Sequence, residues 1–545
     1  MNKKLFTFLL VVGMLVPTAA FGQTVKISSD ERKMAEEISA GQLSNYLYFV
    51  ASDAMGGRDT PSYGLDVTAE FLKMNLQKWG FKGAGDNGTF FQKMGMVRPK
   101  VNPSATTATI AGQQLAHGTD FLAAINAGSA QDARMVFAGN GWFVKSKGFE
   151  PLKNLDVKGK IVVISGEGLP RGMNFQQLRE SGQQDVDWMD PATYARKNGA
   201  VGMITLATAA TATNWERARR QRETGGGFFV EKLRDPATNF PGIILSQKVS
   251  EALLAGENAG LAKINSTSGD PVQSFALSDA KIASVTVMTE VDRANTQNVV
   301  ALWEGSDPVM KNEMVAIGAH YDHVGTNPNA PGEDKIWNGA DDDGSGTVAV
   351  LSIAEALAKG KVRPKRSILL VWHAGEEKGL WGAEYFNKFP TVNIKNVIAQ
   401  LNIDMIGRSR KADDINPKNK DLSGENGVYV IGSEMMSSTL GAITKGTNDA
   451  YLKVGYDYKY DDPKDTNRFF FRSDHFHYAV NGIPIAFWFT GVHEDYHQPG
   501  DHPDKIDYNK MERITRTIFL TMWELSDLKE RPKIDKQLPP ELTQR

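Results

Sequence analysis

The chain has no cysteine in its 545 residues. Disulfides, thiolate metal ligands and a lipid-modified N-terminal cysteine are excluded together, so the fold must be held by its core, with metal as the only other cross-link open to it. There is no excess of either charge. Lys and Arg number 62, Asp and Glu 64, and the formal net charge is -2. Nothing electrostatic draws such a chain to nucleic acid or to an anionic membrane. Beyond the first residues there is also no run of about 20 apolar residues, the length that crosses a bilayer.

What is present begins with "MNKKLFTFLLVVGMLVPTAAFGQ". Lys3 and Lys4 precede an apolar run from Leu5 to Val16, and small residues surround Gly22. That order predicts a secretory signal over 1–22, hence export to the periplasm or the medium with no stable membrane insertion after cleavage. A membrane anchor is the bland alternative, but the run is short for one. The remaining length suits two domains, or one domain carrying a large insertion.

Residues 24 to about 100 read as helical, with Leu65, Ala69, Leu72, Leu76 and Trp79 at helical spacing before Gly80. Between about 120 and 275 short strands are predicted at "KIVVIS", "VGMITL" and "FPGIILS". "WERARRQRETGGG" from Trp215 interleaves Glu216 and Glu223 with its arginines and offers no aromatic platform, so it reads as a solvated helix face. From about 285, near-continuous apolar strands alternate with amphipathic helices: "MVAIGAH", "GTVAVLSIAEALAKG", "RSILLVWHAG", "LWGAEYFNKF", "NVIAQLNIDMIG" and "IAFWFTG". This predicts an α/β fold with a mixed, largely parallel central sheet flanked by helices.

Strand after strand runs into a metal-type side chain. "GAHYDHVG" ends on His320 and Asp322; "NGADDDGSG" sets Asp341, Asp342 and Asp343 before a helix; "HAGEEKG" carries Glu376 and Glu377; "LNIDMIG" carries Asp404; "TGVHEDYHQPGD" leads to His497. Each alone could be a turn former or a helix cap. Together they sit where sites form in such sheets, at the strand ends. Two imidazoles and three carboxylates suit a pair of zinc ions, and with a bridging hydroxide the charges of such a centre cancel. One member of the Glu376–Glu377 pair is then left over as a general base.

These segments, with "SDHFHYAVNGIP", resemble the M28 family of zinc aminopeptidases over about 200 residues in a fixed order. The resemblance implies His320, Asp342, Glu377, Asp404 and His497 as ligands of two Zn2+, with Asp342 bridging. It implies Glu376 as the base acting through a metal-bridging water, Asp322 as the carboxylate orienting His320, and Tyr496 as a group polarising the scissile carbonyl. Peptides are the expected partners. "NLDVKGKIVVISG", "YARKNGAVGMITL" and "FPGIILS" resemble a protease-associated (PA) domain inserted in the zinc-exopeptidase fold. The implied division is 24–125 and 276–530 for the peptidase, 126–275 for the insert and 531–545 for a tail.

Three rivals remain. A glutaminyl cyclase works with one zinc, and the presence of both His320 and Asp404 argues against it. A carboxypeptidase or dipeptidase is the closer alternative, because Arg408 and Arg472 flank site motifs and could hold a carboxylate. Their bland reading is an ordinary ion pair. A noncatalytic binding protein would have lost a ligand or the base. His323, His475 and His477 fall near site segments, His117, His373 and His502 read as caps or packing, and the loop Thr326–Asn338 is expected to border the pocket.

His493 to His497 also match H-E-x-x-H, the helical signature of another zinc-protease class. A β-branched and aromatic strand precedes them and Pro499, Gly500 and Pro503 follow. No helix is expected there, so the match is read as accidental, with His493 and Glu494 as loop residues.

Overall fold

Serines start the first helices of the chain. In the computed structural model, which describes residues 25–543 apart from 167, 235–238 and 269, Ser39 caps α1 (Ala40–Val50) and Ser62 caps α2 (Tyr63–Lys78). Each hydroxyl accepts from an amide that the first helical turn cannot satisfy. α2 buries the expected apolar row of Leu65, Ala69, Leu72 and Leu76, and Gly80 leaves it with φ at 81°. The predicted export signal, 1–22, lies outside the described residues.

The chain divides into two compact units, one formed by residues up to 93 with 296–545 and the other by 94–295. The first is built on one sheet. Its strands are β1 (Thr289–Trp303, from residue 296 on), β2 (Met314–His320), β3 (Ser367–His373), β4 (Val397–Ile403), β5 (Gly427–Ile431), β6 (Gly455–Asp457) and β7 (Ile485–Phe489). Across the sheet they run β1-β3-β2-β4-β7-β5-β6. β3, β2, β4 and β7 are mutually parallel, while β1 and β5 pair antiparallel with β3 and β7 on either side. The fold is thus the predicted mixed, largely parallel α/β sheet.

All residues of β2, β3 and β4 are buried, as their largely apolar sequences require, with Gln400 and Asn402 of β4 the polar members inside. Helices cover them: α3 (Gly346–Lys359), α4 (Trp381–Lys388), α5 (Ser438–Ala450), α6 (His475–Val480) and α7 (Tyr508–Asp527). Ala316, Leu369 and Val371 pack in one cluster with Phe386 of α4 and Phe476 and Tyr478 of α6. Val315, Ile317, Ile368 and Leu370 alternate with them and are equally buried, so by the period of two they serve the opposite face.

The 94–295 unit is β-rich. Ile161–Ser165, Gly202–Leu206 and Gly242–Leu245 lie side by side in parallel, as the short apolar runs predict. The unit is wider than 126–275, because Ile282–Val287 pairs with both Thr107–Ile110 and Gly128–Phe137. Those antiparallel pairs join residues far apart in sequence, and local pattern does not disclose them. Trp215–Thr224 is a helix, and its Arg219 pairs with Glu216 at 2.9 Å and Glu223 at 2.8 Å.

Candidate metal centre

The parallel strands deliver their polar ends to one edge of the sheet. His320 is the last residue of β2, Asp404 follows β4, Glu376 and Glu377 follow β3, and His497 sits in the turn beyond β7. His320 Nε2 lies 3.3 Å from Asp342 Oδ1 and 3.6 Å from Asp404 Oδ2. His497 Nε2 lies 3.0 Å from both Asp342 Oδ2 and Glu377 Oε2. The two oxygens of Asp342 therefore face two different imidazoles. All five expected ligands meet, and Asp342 is the one they share.

The flanking aspartates explain why the middle one is free to point inward. Asp341 Oδ1 accepts from Gly407 N at 2.6 Å, and Asp343 Oδ1 from Met405 N at 3.1 Å and Gly346 N at 2.8 Å. Both thus bind the loop that carries Asp404. Asp501 Oδ2 accepts from the amides of Asp341 (2.9 Å) and Asp342 (3.1 Å), fixing the backbone from behind. Asp343 also lies close to His320 and Asp404, and while its Oδ1 is tied to backbone amides its Oδ2 has no hydrogen-bond partner among the described residues.

Glu376 stands 4.0 Å from His320 Nε2. Asp322 accepts from Glu376 N at 3.1 Å through Oδ1, and that oxygen is 3.7 Å from His320 Nδ1. His320 Nδ1 is closer to the main-chain carbonyl of Asp322, at 3.1 Å. Asp322 thus touches His320 mainly through its backbone and spends its carboxylate on the turn that carries Glu376.

Burial, with Glu377, Asp404 and Asp474 nearby, raises the Glu376 carboxyl well above the usual range, against the pull of His320. Burial also opposes ionisation of Asp342, but His320 and His497 hold it well below its ordinary value. Burial disfavours charged His497, yet Asp342 and Glu377 carry it up to about 10. So many buried carboxylates around two imidazoles form a site that wants cations. His320 Nε2, Asp342 Oδ2 and His497 Nε2 are buried without a hydrogen-bond partner among the described residues. Imidazole and carboxylate are the donors zinc takes, so the residues fit such an ion.

Beside this cluster is a cavity of about 250 Å³ walled by Phe469, Phe487, Phe489, Val492, Arg472 and Tyr496. Arg472 Nη2 donates to Tyr496 Oη at 3.0 Å. Tyr496 stacks on His497, ring centroids 4.0 Å apart. Arg408 is not in the cavity wall but pairs with Asp495 at 2.9 Å, the ordinary ion pair of its bland reading. The loop Thr326–Asn338 does not line the cavity either. Its short strands Gly325–Thr326 and Ile336–Trp337 pair, and Trp337 Nε1 donates to His497 O at 3.0 Å. The loop braces the turn that carries His497 rather than the pocket.

The H-E-x-x-H string is not helical. His493 is buried 3.3 Å from Asp341 Oδ2, and Glu494 accepts from the Asn416 side chain. His373 lies 3.3 Å from Asp474, His475 stacks on Phe487 with centroids 4.5 Å apart, and His502 meets Asp334 at 3.1 Å. Sequence reasoning missed Arg58 altogether. This buried guanidinium donates to the carbonyls of Val50 (2.7 Å), Tyr321 (2.9 Å), Asn338 (2.7 Å) and Gly339 (2.9 Å). The pair Gly56-Gly57 before it was the available signal. Both have positive φ, and a Cβ on Gly57 would come within 2.4 Å of Gly325 O.

A largely parallel sheet whose strand ends gather two imidazoles, a shared aspartate and two adjacent glutamates forms a candidate metal centre. Residues 298–522 match the profile of peptidase family M28. Leucine aminopeptidase 2 of Arthroderma otae is 25% identical over 312 residues, spanning 52% of this chain and 56% of that protein. Probable leucine aminopeptidase 2 of Aspergillus fumigatus is 27% identical over 238 residues, spanning 44% and 42%. The chain thus spans about half the length of these curated relatives. The solved aminopeptidase from Aneurinibacillus sp. strain AM-1 aligns with 94% of this chain and 98% of its own at 17% identity and a TM-score of 0.47.

Proposed function

We propose that the protein is an exported di-zinc aminopeptidase that removes the N-terminal residue of peptides, with the 94–295 unit as its PA-like insert. The observation that carries this reading is the division of Asp342 between His320 and His497, with Glu376 alongside and committed to neither. His320, Asp342 and Asp404 would hold one ion, and Asp342, Glu377 and His497 the other. Bound zinc supplies Lewis acidity and a water acidic enough to be a nucleophile near neutral pH.

Glu376 takes the proton of the attacking water and returns it to the leaving amine, a role for which a buried carboxyl with a raised pKa is suited. Asp322 keeps it in place through the Glu376 amide. Tyr496 accepts from Arg472, so its own proton is free to be donated to the developing oxyanion. The carboxylate cluster attracts the free α-ammonium of the substrate. Phe469, Phe487, Phe489 and Val492 receive an apolar first side chain.

A second reading, a carboxypeptidase or dipeptidase, is favoured by Arg472, which lines the cavity and donates to the Tyr496 hydroxyl rather than to a carboxylate. One assay separates the two. Purified protein is given matched peptides that are free, N-acetylated or C-amidated, before and after chelation and zinc addition. Cleavage should require a free amine, tolerate the amide, stop on chelation and return with zinc. Equal cleavage of the acetylated peptide would sink the aminopeptidase reading.

A further inference from the structure

We propose that His323 is a positioning residue for Glu377, holding one carboxylate oxygen so that the other stays aimed at the metal position it shares with His497. The proposal rests on the two-zinc reading above. His323 follows His320 by three residues and is completely buried. Its Nδ1 lies 2.7 Å from Glu377 Oε1, while Glu377 Oε2 lies 3.0 Å from His497 Nε2. Both atoms are buried and neither has a hydrogen-bond partner among the described residues, so this 2.7 Å ion-pair contact, with Asp342 Oδ2 farther off at 3.7 Å, is what the two groups share. The two oxygens of Glu377 are therefore divided between two imidazoles.

The surrounding chain is shaped to hold this ring. Gly339 has φ +58°, and a Cβ there would come 2.5 Å from His323 Cγ, so only glycine leaves the imidazole its space. His323 N donates to Arg58 O at 3.1 Å, which anchors the backbone. The ring stands edge-on to His497, centroids 5.6 Å apart and planes at 72°. A ligand carboxylate whose free oxygen is held by a donor keeps its orientation, and losing such a partner typically costs about 10–100-fold in metal affinity.

The test uses the full chain, stripped of metal and titrated with zinc against a chromophoric chelator. The wild type should bind two ions; fewer would defeat the two-zinc reading itself and is seen before any variant is made. His323→Phe fills the same volume without a donor and should weaken one of the two ions by about 10–100-fold, with the thermal midpoint of the metal-free protein unchanged. His323→Asn, whose Nδ2 can occupy the place of Nδ1, should restore most of that affinity. If His323→Phe does not fold, His323→Ala replaces it in the same comparison. Wild-type affinity for both ions in the donor-less variant, or an Asn variant as weak as it, would overturn the proposal.

Discussion

Replacing Arg58 by alanine removes a side chain that no exposed contact advertises. Four carbonyls lose a charged donor: Val50 at the end of α1, Tyr321 between His320 and Asp322, and Asn338 and Gly339 just before the aspartate run. Hydrogen bonds to a charged group contribute roughly 1.5–3 kcal/mol each. Against their sum stands the dehydration of a buried guanidinium, a cost that the substitution returns. What remains is the cost of buried carbonyls without a donor, roughly 1–3 kcal/mol for each that stays unsatisfied. Arg58→Lys keeps the charge but cannot span four acceptors with one ammonium, so it should fall roughly midway. The measurement is amide hydrogen exchange along β2 and α1, read as an opening free energy. Exchange in Arg58→Ala within about 1 kcal/mol of the wild type, a typical surface effect, would refute the clamp.

Glu376→Gln should lower kcat by roughly 10²–10⁴-fold, the range general-base catalysis supplies, while zinc content stays at the wild-type level. Glu494→Gln should retain most of the activity, since its carboxylate meets Asn416 outside the cluster; equal losses in the two would show that the H-E-x-x-H string matters after all. Glu524 of α7 is pushed up to about 7, first by burial and then by Glu31 and Asp527. A carboxyl raised from 4.5 to about 7 on folding favours the native state when protonated, so its contribution is present below about pH 4.5 and is lost as pH rises through 7. Glu524→Gln should therefore match the wild type near pH 4 and exceed it at pH 8. The shift corresponds to about 3 kcal/mol in full and roughly 1–2 after allowance for partial exposure. Urea midpoints at the two pH values check it, and a Gln variant less stable at pH 8 would reverse the sign.

Much of this was legible along the chain. The unbroken apolar runs ending at His320 and His373 could only be buried parallel strands, and the polar groups that follow them had to emerge at one sheet edge. Residue type then limited the chemistry, because imidazoles beside carboxylates, in a chain without cysteine, leave few metals and few reactions open. The reading of His493 to His497 also needed only local rules, since the strand before and the prolines after allow no helix.

Other assignments depended on contacts between residues far apart in sequence. Three adjacent aspartates are alike as letters, and the amides of Met405 and Gly407, more than sixty positions away, show that Asp341 and Asp343 each give one oxygen to the backbone while both oxygens of Asp342 face imidazoles. Arg408 and Arg472 looked equivalent until Asp495 claimed one and the cavity received the other. His323 was legible only as a histidine near a site segment and Arg58 only through the glycine pair before it, because a buried donor's role is defined by the carbonyl or carboxylate it meets. Local sequence determines which groups reach the edge of the sheet; the packing of distant segments decides which of those groups are left unpaired, and unpaired buried donors are what a metal centre is made from.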